Sequence, residues 1–231
     1  MDLFIEQHDI LRWFHVICVA YWLGGEWGVF NACTNVAKAD LPLEERERAL
    51  QTAYNIDIMP RSAIIWLLPA GFHMANDLGL SPVTGIGVPI VWALTALWWT
   101  LIFIIYKQRG SPLGIKLHHV DDSLRFLVIP ALIITGSYML ITGTNPTTGE
   151  ALPVAWFSVK LTLFGSILII GLIMRFVMVG WVKNFISIRA DGPSAVIDGR
   201  IHSTLMMTRK FAYLYWLLIG TMAFIGVTKP F

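Results

Sequence analysis

The sequence contains few charged residues for its length. Asp, Glu, Lys and Arg make up 14% of its 231 residues, against 56% hydrophobic residues and a mean hydropathy of +0.65. This balance excludes a water-soluble globular domain, and a net charge of +2 is too small to indicate a nucleic-acid-binding surface. We therefore expect an integral membrane protein whose main partner is the lipid bilayer.

The chain also has only two cysteines and lacks the motifs of common soluble enzymes. Cys18 and Cys33 lie on one apolar stretch, about 22 Å apart if that stretch is a helix, so they cannot pair with each other. There is no CxxC or CxxCH, which excludes a thiolate metal cage and a c-type heme attachment. A phosphate-binding glycine loop, a nucleophile elbow and an HExxH motif are absent as well.

Long apolar runs are abundant instead. About 20 apolar residues cross a hydrocarbon core of roughly 30 Å. We count six such runs, at about residues 10–31, 61–79, 86–106, 124–142, 155–179 and 209–228. Pro60 opens the second run and Pro69 interrupts it, so a kinked helix is expected there. The sequence predicts an all-α, polytopic bundle of about six transmembrane helices in a single domain, residues 1–231.

The loops between the runs predict the orientation. Lys and Arg gather in the first, third and fifth loops, whereas residues 80–85 and 143–154 contain none. By the positive-inside rule the basic loops are cytoplasmic and both termini lie outside.

The first run lacks a basic n-region and a cleavage site, which favours a permanent helix over a signal peptide. Residues 41–55 are typical of an amphipathic helix with a solvated face.

Three potential ligands lie at a similar depth near the outer side of the membrane: His15, His73 and Lys160. An imidazole on one helix that faces a strong ligand on another is how b-type heme is held between membrane helices. A lysine amine can ligate only when neutral, which apolar surroundings favour. The alternatives are helix–helix hydrogen bonds for the histidines and a snorkelling side chain for Lys160.

His15 shares one stripe of the first helix with Trp22 and Glu26. The small residues of this helix would let a neighbouring helix or a flat ring approach it closely; they are Gly24, Gly25 and Gly28. We expect a slot beside this helix.

Four charged residues lie towards the inner side: Glu26, Arg61, Arg125 and Arg175. A buried carboxylate that pairs with an arginine satisfies both charges, and this structural interpretation is favoured. The alternative is a quinone site or a proton-entry site.

A second polar group precedes the fourth apolar run. His118, His119, Asp121 and Asp122 form an HHxDD segment in a predicted loop. Imidazole and carboxylate are common metal ligands, but adjacent histidines on a loop are usually solvated, and we favour that interpretation.

Four segments together resemble a known family. They are Trp13–Gly25 (WFHVICVAYWLGG), Ile129–Gly143 (IPALIITGSYMLITG), Trp156–Leu163 (WFSVKLTL) and Lys229–Phe231 (KPF). In this order they resemble the HemJ-type protoporphyrinogen oxidases and the related copper-resistance D-like membrane proteins. The second and third helices depart from that pattern and look inserted.

The resemblance implies a cofactor and two of its ligands. In the HemJ family the first-helix histidine and the lysine of the tryptophan–lysine motif are implicated in binding heme b, and these positions correspond to His15 and Lys160. The inserted helices bring His73, so the second axial ligand is either Lys160 or His73.

The function expected from the resemblance is a heme-b oxidoreductase of the bacterial inner membrane. It would pass electrons between a porphyrinogen or another donor and quinone. Two alternatives remain: a copper-handling or transport protein, and an anchor subunit of a respiratory complex. Partner subunits or a homo-oligomer are compatible with each of these functions.

Overall fold

The fold is all-helical, as the sequence predicts. The computed structural model describes residues 5–231, and within that range the chain forms six helices. They are α1 (Gln7–Val36), α2 (Leu43–Asp77), α3 (Gly87–Lys107), α4 (Pro112–Thr142), α5 (Trp156–Asp191) and α6 (Ala195–Thr228). The connection between α4 and α5 adds an isolated antiparallel bridge between Thr144 and Ala151.

Four of these helices, α3 to α6, are long and apolar enough to cross a membrane. The chain is therefore a multi-pass membrane protein. Helices α1 and α2 have ample length, with 30 and 35 residues, but polar residues interrupt their apolar runs. The count of six spans thus remains a prediction for these two helices.

Several helices are longer than the apolar runs that predicted them. The expected amphipathic segment 41–55 and the second apolar run form one continuous helix, α2, which contains both Pro60 and Pro69. Helix α4 begins at Pro112 and α6 at Ala195, more than ten residues before their apolar runs. Apolar runs report the thickness of the hydrocarbon core, whereas backbone hydrogen bonds continue a helix into polar surroundings.

Successive helices run antiparallel, and each packs against the next one along the chain. Helix α6 also packs against α1, which closes the ring, and α2 touches α5 across the ring. At one end, the Asn145 side chain donates to the Ser81 carbonyl oxygen (2.9 Å), and the Trp156 backbone N–H donates to the Phe231 carbonyl oxygen (3.1 Å). We call this the terminus end. The opposite end, with loops 37–42, 108–111 and 192–194, is the hairpin end, where Arg46 pairs with Asp198.

The glycines of α1 serve helix packing. A Cβ at Gly25 would lie 2.6 Å from Pro60 Cδ, and one at Gly28 would lie 3.2 Å from a methyl group of Ile56. The sequence allowed either a helix or a flat ring to approach this face of α1. At Gly25 and Gly28 the approaching partner is helix α2. Nothing lies within 4 Å of a Cβ at Gly24.

The contact between α4 and α5 depends on Gly136. A Cβ there would lie 2.6 Å from the Thr162 backbone nitrogen and 2.9 Å from the Ser158 carbonyl oxygen, and neither backbone atom can move freely. We expect Gly136→Ala to lower the free energy of unfolding by about 1–3 kcal/mol, since the two helices must separate. Thermal unfolding of the purified protein in detergent measures it. Gly180→Ala, in open space on α5, is the matched control, and equal losses in the two variants would contradict the prediction.

Candidate functional site

His15 is held against α2 with a free ring nitrogen. It lies on α1, and the ring packs over Gly71 of α2, where a Cβ would be 3.5 Å from the His15 Cε1 atom. Nδ1 is buried and has no hydrogen-bond partner among residues 5–231. Buried polar atoms are normally paired, so an orphaned imidazole nitrogen is a candidate ligand atom.

Lys160 lies in the first turns of α5 and points towards α6. Its Nζ would be only 2.7 Å from a Cβ at Gly226, so the absence of a side chain there makes room for the amine. Within residues 5–231 Lys160 forms no ion pair. Its neighbour Leu161 belongs to the apolar cluster against which Phe14, next to His15, also packs. The structure thus places in one part of the bundle two candidate nitrogen ligands that are separated by more than half of the chain in the sequence.

His73 differs from His15 because both of its ring nitrogens have partners. Trp92 of α3 donates its indole N–H to Nδ1 (3.3 Å), and the Gln7 amide of α1 lies 3.2 Å from Nε2. These contacts tie α2 to α3 and α1 at the terminus end. The helix–helix hydrogen bond considered for this residue from the sequence is therefore present.

The interior of the bundle is divided into two apolar clusters with charge between them. The cluster towards the terminus end includes Trp22 and Phe164, and the cluster towards the hairpin end includes Cys33 and Trp181. The chain segments between the clusters supply a set of charged residues that we call the charged layer: Glu26, Asp57, Arg61, Asp121, Arg125 and Arg175. Both cysteines are free and buried.

A cavity of about 80 Å³ lies in this layer, and we call it the central cavity. Its walls include the four residues that the sequence grouped as a polar site: Glu26, Arg61, Arg125 and Arg175. Their separation along the chain gave no direct sign of this. What they share is a similar predicted depth in the membrane, and this depth alone was sufficient to predict that they lie together.

The arginines of the charged layer pair with aspartates. Arg61 pairs with Asp57 one turn before it, and Arg125 donates to Asp121 (3.2 Å). Arg175 donates to the same Asp121 oxygen at 2.5 Å, and the Trp98 indole donates to the other oxygen at 2.8 Å. Sequence reasoning missed Asp57 and the pairing role of Asp121, although the i,i+4 spacing of each to an arginine was a readable signal.

Glu26 has a different partner from the one expected. The Tyr215 hydroxyl donates to Glu26 Oε1 at 3.3 Å, and the Trp22 indole donates to the same hydroxyl oxygen at 2.9 Å. No arginine or lysine of residues 5–231 forms an ion pair with Glu26. The predicted Glu26–arginine pair is wrong, because the aspartates are already bound to the arginines.

The HHxDD segment lies in α4, not in the predicted loop. His118, Asp121 and Asp122 place their ligand atoms within 4.8 Å of one another, whereas His119 is exposed. The Arg175 guanidinium fills this group: Nη2 lies 2.5 Å from His118 Nδ1 and 3.1 Å from an Asp122 oxygen. A fixed cation therefore already sits among these side chains, which favours a structural pairing over a metal site.

A second cavity, of about 90 Å³, lies towards the hairpin end. It reaches Arg109 and Gly110 in the α3–α4 loop and is lined by Tyr54 and Tyr106. Asp57 and Arg61 border both cavities, so their ion pair is the boundary between the two.

The site therefore has two parts, the candidate ligands His15 and Lys160 towards the terminus end and a charged layer with two cavities towards the hairpin end. No protein-family model, curated protein or solved structure matches this chain.

Proposed function

We propose that this protein is a heme-b-binding membrane oxidoreductase of the HemJ type, with His15 and Lys160 as axial ligands. The observation that carries the proposal is the buried Nδ1 of His15, which has no partner among residues 5–231 and lies in the same part of the bundle as Lys160. An imidazole and an amine on different helices are a suitable ligand pair for iron between those helices.

Lys160 is a better second ligand than His73. Ligation by His73 would sacrifice its hydrogen bond with Trp92 or with Gln7, whereas Lys160 has no ion pair to lose. The apolar residues beside Lys160 favour the neutral amine that ligation requires. Gly226 leaves the space that the amine needs, since a Cβ there would meet Nζ at 2.7 Å.

The imidazole of His15 and the amine of Lys160 are donors that suit heme iron, and each part of the chain would have a separate task. Bound heme would supply one-electron transfer between a donor and an acceptor. His15 and Lys160 would hold the iron, and the apolar cluster around Trp22 and Phe164 would exclude water from the pair. The donor we propose is a porphyrinogen or a similar reductant, and the acceptor is quinone from the bilayer.

We further propose that α1 and α2 cross the bilayer together with the four apolar helices. Two observations support this proposal: α1 and α2 pack along each other, and His15 lies towards the same end of the bundle as Lys160 of α5. The basic loops of the hairpin end then lie in the cytoplasm of a bacterial cell and both termini outside.

A reduced-minus-oxidised visible spectrum of the detergent-purified full chain tests the proposal, with iron and copper quantified on the same sample. We expect a Soret shift, a sharp α band and near-stoichiometric iron. Bound copper without a Soret band would replace the proposal with the copper-handling function. A sample that contains neither heme iron nor copper would overturn both functions, and His15 and Lys160 would then have structural roles.

A further inference from the structure

Glu26 is the carboxyl group of the charged layer that forms no ion pair with any side chain of residues 5–231. Arg61 pairs with Asp57, Arg125 with Asp121, and Arg175 with both Asp121 and Asp122. When Asp122 beside the layer is counted with Asp57 and Asp121, three aspartates balance the three arginines without Glu26. An ionised carboxylate is costly to bury without a partner, so the neutral acid is a natural state for this residue.

The ionised form of Glu26 can nevertheless be accommodated. Arg61 and Arg125 border the same cavity and attract a negative charge on Glu26 across it. The other groups that face Glu26 from the surrounding helices are Cys33 on α1, Asp57 on α2, Arg175 on α5 and Tyr215 on α6. Asp57 opposes ionisation and the arginines favour it, so neither charge state of Glu26 is excluded.

The two cavities lie one after the other between Glu26 and the hairpin end. The central cavity touches Glu26, the second cavity reaches the loop at Gly110, and the two meet at the Asp57–Arg61 pair. Volumes of about 80 and 90 Å³ are sufficient for a few water molecules each, and the charged side chains among their mostly apolar walls supply hydrogen-bond partners.

The opposite direction is closed to a proton. Glu26 accepts from the Tyr215 hydroxyl, which accepts from the Trp22 indole N–H. An indole N–H only donates and does not titrate under ordinary conditions, so this chain of hydrogen bonds ends at Trp22. These hydrogen bonds therefore offer a proton no route through Trp22 towards His15, and the side of Glu26 that remains is the central cavity.

We propose that Glu26 is a proton-exchange site: its carboxyl group releases a proton to water in the central cavity and takes one back, in exchange with the hairpin end through the second cavity. Tyr215 is a positioning residue that fixes the carboxyl group at the cavity wall. The proposal is independent of heme, because it rests on the charged layer and not on His15 or Lys160.

Infrared difference spectroscopy on the full chain tests this inference, with or without bound heme. We expect a carbonyl-stretch band of a protonated carboxylic acid that loses intensity as the pH rises and shifts on transfer to D₂O. Glu26→Gln should remove the band, and Tyr215→Phe should shift its frequency because a hydrogen bond to the carboxyl group is lost. Glu47→Gln, at an ion pair with Arg189 near the hairpin end, should leave the band unchanged.

Two results would overturn the proposal. One is the lack of any Glu26-dependent band at every pH at which the protein stays folded, because the group would then be permanently ionised. The other is a Glu26 band that neither titrates nor exchanges in D₂O, because the group would then be sealed from water.

A second variant tests the route. Ile102 is buried in the wall of the second cavity, so Ile102→Phe should fill the cavity and slow deuterium exchange of the Glu26 band several-fold. Ile104→Phe makes the same change on an exposed face of α3 and should leave the rate unchanged. Equal exchange rates in the two variants would refute the route through the second cavity.

Discussion

The His15→Ala variant is expected to purify with almost no heme. Alanine would remove one of the two proposed heme ligands, and no other described imidazole in this part of the bundle has a free buried nitrogen to replace it. Because even changes around a ligand reduce metal affinity by about 10–100-fold, loss of the ligand itself should reduce heme content by about tenfold or more. The measurement is the Soret absorbance per protein, together with iron content, at matched expression.

Variants at the other two candidate positions make this prediction specific. Lys160→Ala should lose heme as His15→Ala does, while Lys160→Met supplies a neutral thioether ligand and should retain heme with a shifted α band. His73→Ala should retain heme, because its ring nitrogens are committed to Trp92 and Gln7. Unchanged heme in a His15→Ala, Lys160→Ala double variant would end this ligand assignment, and heme loss in His73→Ala would return that residue to the axial position.

The largest expected loss of stability comes from Arg175→Leu. Its guanidinium contacts Asp121, Asp122 and His118, and Asp121 is only 1% exposed. Removing one partner of a buried ion pair leaves an uncompensated charge, which costs about 3–5 kcal/mol. Arg125 and Trp98 still bind Asp121, and we therefore expect a loss near the lower end of that range. Unfolding in mixed detergent measures it.

Arg189→Leu is the matched control. Arg189 is on the same helix and also pairs with a carboxylate, Glu47, but it lies exposed at the hairpin end. Exposed ion pairs contribute little, so this variant should be close to wild type. A double variant, Arg175→Leu with Asp121→Asn, should recover part of the loss because the uncompensated charge is removed. If Arg175→Leu were no less stable than Arg189→Leu, the buried network would contribute nothing.

Much of the fold could be predicted from the sequence because membrane helices follow local rules. Each helix satisfies its own backbone hydrogen bonds, and hydrocarbon selects for apolar residues, so the apolar runs predicted all six helices without reference to one another. The ends of α2, α4 and α6 were placed wrongly for the same reason, since hydropathy marks where lipid ends and not where helical hydrogen bonding stops.

The sequence by itself determined an all-α membrane protein, the identity of His15 and Lys160 as candidates, and the shared depth of Glu26 with three arginines. Only the tertiary structure decided which of these groups are satisfied. In the folded chain both ring nitrogens of His73 have hydrogen-bond partners, whereas Nδ1 of His15 has none among the described residues. The arginines pair with aspartates, and Glu26 accepts a hydrogen bond from the Tyr215 hydroxyl. The physical reason is that depth follows from position along one helix, whereas pairing depends on the rotation and height of other helices, which come from distant parts of the chain.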